Sequence, residues 1–114
     1  MVMMSPVNDQ MIAEMVQAIV EEVAPNRIYV FGSRARGAGT ANSDVDILVV
    51  EDEPFGLERS RRQEMSRVRR ALSRFGVATD ILLYSADEVS RWQRSVNHVI
   101  GHCLREGRLL YARS

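Results

Sequence analysis

Lysine is absent from this sequence: all fifteen basic residues are arginine. That excludes a lysine nucleophile and a P-loop lysine. Aromatic residues make up 6 % of the 114 positions, so the core is expected to consist mostly of Val, Ile, Leu and Met. A single cysteine, Cys103, excludes an internal disulfide. No apolar stretch approaches the ~20 residues of a membrane span. The start, Met1 to Pro6, has neither a basic region nor a long apolar run, so no signal peptide is visible. The expected location is cytoplasmic, and the clustered methionines leave the start codon open. Formal net charge is zero, which argues against a generally basic nucleic-acid binder. The chain suits one domain over 1–114, because two halves of this length would each bury too little surface.

What is present alternates between helical and extended patterns. Ser5 before Pro6 reads as a helix cap, and Val7, Met11, Met15, Ile19 and Val23 predict a helix over 6–23. Arg27 to Phe31 is β-branched and aromatic, hence a strand. Small residues from Arg34 to Ser43 predict a loop, and Val45 to Val50 a second strand. A helix is expected from Glu58 to Phe75, ended by Gly76. Val77 to Tyr84 is a third strand. Ser85 with Glu88 forms a capping-box pattern, and one last helix carries Val89, Trp92, Val96, Ile100 and Leu104. Leu109-Leu110-Tyr111 follows as a short edge strand. The order predicts an α+β fold, a small mixed sheet flanked by helices. Strand directions are not readable from it.

The chemistry-bearing residues fall into two groups, Phe31-Gly32-Ser33-Arg34-Ala35-Arg36-Gly37 and Ser43-Asp44-Val45-Asp46-Ile47. Side chains two apart on a strand share a face, so Asp44 and Asp46 project together. Two adjacent carboxylates are costly unless a cation or proton is shared. Mg²⁺ suits such oxygens and takes remaining ligands from water and a nucleotide's phosphates. Two such metals can clamp the attacking and leaving oxygens of an in-line displacement. Asp80, mid-strand between apolar neighbours, would need a partner or cation if buried. It offers a third ligand or a general base. Gly32 allows close backbone approach; its neighbouring N–H groups and the Ser33 hydroxyl can hold phosphate oxygens. Arg34 and Arg36 are fixed cations that could offset phosphate charge. Alone, each feature reads more blandly: a turn, a solvated loop, surface arginines. Together and in this order they point to nucleotide transfer.

The pattern Gly-Ser, ten residues, Asp-x-Asp resembles the DNA polymerase beta-type nucleotidyltransferase superfamily. More narrowly, Phe31 to Val50 is similar to the minimal nucleotidyltransferase (MNT) domains, often encoded beside HEPN-domain proteins as toxin–antitoxin pairs. The likeness extends to the leading helix, the third-strand aspartate and the ending Glu106-Gly107…Leu110-Tyr111. It implies a nucleotidyltransferase fold, Mg²⁺ as cofactor and ATP as substrate. It also implies adenylyl transfer to a tyrosine hydroxyl of a HEPN toxin. Gly32 and Ser33 match the family's phosphate-binding turn, Asp44 and Asp46 its metal ligands, and Asp80 its third acid. Larger members carry a second domain that holds base and acceptor. A chain this short is expected to take that grip from a partner protein or a second copy. Two rival readings stay open: an antitoxin that neutralises by contact, and an enzyme acting on a small molecule.

Other residues read more plainly. The stretch 58–75 holds Arg59, Arg61, Arg62, Arg67, Arg69, Arg70 and Arg74, read as a solvated face rather than a partner or RNA surface. Arg61 falls on the apolar side, so it precedes the helix or snorkels. His98 and His102 have a zinc-compatible spacing but no third ligand. Cys103 reads as a small buried hydrophobe, and Trp92 as core or interface.

Overall fold

A computed structural model describes residues 9–31 and 45–113 of the chain. Ile12, Met15, Val16 and Ile19 recur at helical spacing and are all buried on one side of α1, Asp9–Val23. The cap expected at Ser5 lies outside the described residues. Pro25 then breaks the helix, and β1 follows at Arg27–Phe31. β2 is Val45–Glu51, α2 Arg61–Leu72 and β3 Thr79–Ser85. A short 3-10 turn, Ser73–Phe75, closes α2. Gly76 stands at φ 62°, a left-handed conformation that a residue without Cβ adopts most readily. α3 is Ala86–Trp92, α4 Val99–Glu106 and β4 Arg108–Ala112.

The strands form one sheet in the order β3-β2-β1-β4. β1 runs antiparallel to both β2 and β4, while β2 and β3 are parallel. The expected mixed sheet flanked by helices is therefore present, with α2 making the crossover that a parallel pair requires. β4 occupies the edge where the Leu-Leu-Tyr run was expected. Alternation along β2 divides the core. Val45, Ile47 and Val49 pack with α1 and α2. Leu48 and Val50 pack with Val89, Ile100 and Cys103 from α3 and α4.

Several boundaries differ from the sequence expectation; β3 starts at Thr79 rather than Val77, which puts Asp80 near the start of the strand and not in its middle. α2 begins at Arg61, not Glu58, because the Ser60 side chain accepts the Gln63 N–H and caps it. Arg59 is thus not part of a solvated helical face. It pairs with Glu51, which is 3 % exposed, and with Glu64 at 3.4 Å. Arg67 extends this cluster to Glu64 (3.0 Å) and Glu22 (3.1 Å), joining α2 to α1. Arg61 opens the helix, donates to the Leu83 carbonyl at 2.6 Å, pairs with Glu88 and lies over the Phe55 and Tyr84 rings. Arg62, Arg69, Arg70 and Arg74 do form an exposed face.

The single last helix is instead two. The apolar spacing runs on through a break at 93–98, where His98 Nδ1 accepts the Ile100 N–H and caps α4. The His98 ring stacks on Trp92 at 4.5 Å, so the two histidines do not share one helix. Val96, expected on that one helix, lies in the break and is 76 % exposed. The Ser85–Glu88 capping box is present at the start of α3.

Candidate active site

The register of the sheet builds one row across three strands. Phe31 on β1 lies opposite Asp46 on β2, and Asp46 lies opposite Asp80 on β3. Neighbouring strands are about 4.8 Å apart, so the two carboxylate-bearing backbones are direct neighbours. Alternation puts Asp46 on the side of β2 that carries Leu48 and Val50, and Asp80 on the side of β3 that carries Leu82 and Tyr84. Those residues belong to one apolar cluster, so both acids face the α3/α4 side. Asp46 is half-buried and Asp80 exposed.

Phe31 is the last described residue before the segment 32–44, and Val45 the first after it; both lie at this end of the sheet. Gly32, Ser33, Arg34, Arg36 and Asp44 fall outside the described residues. Val45, directly before Asp46, points into the opposite core. Among the described residues no three His, Cys, Asp or Glu side chains converge as a metal-holding group. The donor set there is the pair Asp46 and Asp80, hard oxygens on adjacent strands, which suits a divalent cation of the Mg²⁺ type completed by further oxygens.

Cys103 was read as a buried hydrophobe, and it is fully buried in the α4 layer beside this row. Burial pushes its thiol up to about 11, and the Asp46 carboxylate adds to the rise. Cys103, in the last turn of α4, thus packs on the same side of the sheet as Asp46, which the sequence pattern did not indicate. A second acid cluster also escaped it. Glu51, at the other end of β2, has Oε2 buried with no hydrogen-bond partner among the described residues. Burial first, then the adjacent Glu64 carboxylate, raises its pKa from 4.5 to about 7, against the opposing pull of Arg59. It points to the α1/α2 side, away from the Asp46–Asp80 row.

The family model for the nucleotidyltransferase domain matches residues 12–110. This chain belongs to that family. Among solved structures it is similar to a protein from Sulfolobus solfataricus assigned as a nucleotidyltransferase, at 28 % identity over 89 % of this chain and 80 % of that one, TM-score 0.52. It is also similar to a toxin–antitoxin complex solved with AMP-PNP, at 22 % identity over 90 % and 74 % of the two chains, TM-score 0.52. The MntA–HepT toxin–antitoxin complex matches at 18 % identity over 92 % and 74 %, TM-score 0.56. No curated protein matches. The nucleotidyltransferase domain therefore occupies nearly the whole chain. Among the described residues no helix is long and apolar enough to cross a membrane.

Proposed function

We propose that this nucleotidyltransferase domain transfers AMP from ATP to a hydroxyl of a partner protein, a tyrosine of a HEPN-type toxin, and so acts as its antitoxin. The observation that carries the reading is the in-register pairing of Asp46 with Asp80 on one face of the sheet. Two acids stand side by side at the sheet end where β1 finishes at Phe31. The likeness to toxin–antitoxin complexes, one solved with an ATP analogue, supports the choice of nucleotide and partner.

In this reading Asp44 and Asp46 would hold Mg²⁺, which would supply charge neutralisation at the phosphates, and Asp80 serves as the general base. Gly32 N–H and the Ser33 hydroxyl hold phosphate oxygens, with Arg34 and Arg36 as fixed cations. The acceptor hydroxyl oxygen bonds to the α-phosphorus while the bond to the β-phosphate oxygen breaks and pyrophosphate leaves. The hydroxyl proton passes to Asp80, the more exposed of the two described acids. Such transfers depend on positioning and charge stabilisation, and the partner's own surface fixes the acceptor.

The test is mass spectrometry of a co-expressed HEPN partner after incubation with this protein, ATP and Mg²⁺. A gain of one or more AMP masses on a tyrosine is expected, lost in Asp46→Asn. An unmodified partner that is nonetheless neutralised would replace this reading by inhibition through contact.

A further inference from the structure

Gly107 ends α4 at φ −82° and ψ 165°, a conformation open to any residue, so backbone freedom does not explain a glycine there. Space does. A Cβ at this position would stand 2.3 Å from the Cys103 carbonyl oxygen and 3.1 Å from the Val30 carbonyl oxygen. Both are backbone atoms: the first contact forces a shift of the helix end, and the second requires the Val30 carbonyl to give by a few tenths of an ångström. The Gly107 N–H donates to the same Cys103 carbonyl at 2.6 Å. The last turn of α4 is thereby seated on β1 at Val30, and Arg108, the next residue, pairs with Val30 in the sheet. Val30 immediately precedes Phe31, whose register partner is Asp46. From the same turn, the Cys103 side chain packs into the layer on Asp46's side of the sheet.

We propose that Gly107 is a positioning residue for the Asp46–Asp80 site: by admitting α4 against Val30 it fixes the end of β1 and, with Cys103, the placement of Asp46. This rests on the reading of the site given above. Gly101 supplies a matched comparison on the same helix. A Cβ there would meet the Ser95 carbonyl oxygen at 2.0 Å, but at the α3–α4 junction rather than against β1.

The experiment compares Gly107→Ala with Gly101→Ala. It reads thermal midpoint, affinity for Mg²⁺ with a non-hydrolysable ATP analogue by calorimetry, and amide hydrogen exchange at Phe31 and Asp46. Gly107→Ala is expected to weaken nucleotide binding roughly tenfold or more, as displaced supports of metal ligands do. Gly101→Ala should stay near the parent affinity at a comparable loss of midpoint. Weakening in both that tracks only the midpoint overturns the proposal. If the parent itself binds no nucleotide, the reading of the site fails. Exchange then decides: faster at Phe31 and Asp46 in Gly107→Ala alone supports positioning, and equal protection in both variants overturns it. Should Gly107→Ala fail to fold, Cys103→Ala is measured instead. Nucleotide affinity and exchange at Asp46 unchanged from the parent would overturn the proposal.

Discussion

Replacing Glu51 by glutamine should stabilise this domain at alkaline pH and change little at acidic pH. The Glu51 carboxyl is 3 % exposed, and burial beside Glu64 raises its pKa from 4.5 to about 7. In the unfolded chain the proton leaves near 4.5; in the folded chain it is held to about 7. The stability this group contributes is therefore fully present below about pH 4.5 and is lost as pH rises through about 7. The gap between the two values, at about 1.36 kcal/mol per unit, sets a ceiling of roughly 3 kcal/mol. Glutamine mimics the protonated form. Its carbonyl oxygen can accept from Arg59 as Glu51 Oε1 does, and its amide can donate toward Glu64. The assay is urea unfolding of parent and Glu51→Gln from pH 5 to 8.5. The parent should lose about 1–3 kcal/mol across this window and the variant should not. At about 4–8 °C per kcal/mol, the difference would also be visible in thermal midpoints. A parent whose stability is flat from pH 5 to 8, or a variant destabilised equally at both ends, would refute the reasoning.

Other outcomes follow from single contacts. Asp46→Asn and Asp80→Asn should each lower AMP transfer by roughly 100-fold or more, measured with radiolabelled ATP, while thermal midpoints hold or rise. Gly76→Ala should cost about 1 kcal/mol in urea titrations from the left-handed backbone alone, since a Cβ there meets nothing within 4 Å. Ser85→Ala removes the capping box of α3 and should cost about 1 kcal/mol by the same titration.

The sequence was most informative where side-chain chemistry and local spacing coincide. β1, β2 and β3 were legible because β-branched runs are bounded by turn residues, and α1 because its apolar stripe is regular. The Ser85–Glu88 cap was legible because both partners lie within one turn. Strand direction was not, because it depends on the crossover made by α2 and not on any residue pattern. The break between α3 and α4 was hidden by Val89, Trp92, Val96, Ile100 and Leu104, whose spacing continues across it. Histidine is not a strong capping signal, so His98 gave no warning. The late start of α2 was written in Ser60 and Gln63 but masked by the arginine run from Arg59. Of the site, Asp46 and Asp80 could be named as candidates, but their adjacency needed the β2–β3 register. The seat of α4 on Val30 is a contact between distant segments, and nothing local announces it.

The parallel pairing of Asp46 with Asp80 also bears on how the chain finds its fold. The two acids are brought together only when β2, α2 and β3 have closed into one unit, so nothing resembling the pair exists in a partly folded chain. A slip of β3 by one residue would turn Asp80 from the α3/α4 side toward Val45, Ile47 and the α1/α2 layer. There an unpaired carboxylate would be deeply unfavourable. The acid at the start of β3 thus penalises misregistered sheets. Any cation held by the pair would add its binding free energy to the correct register alone.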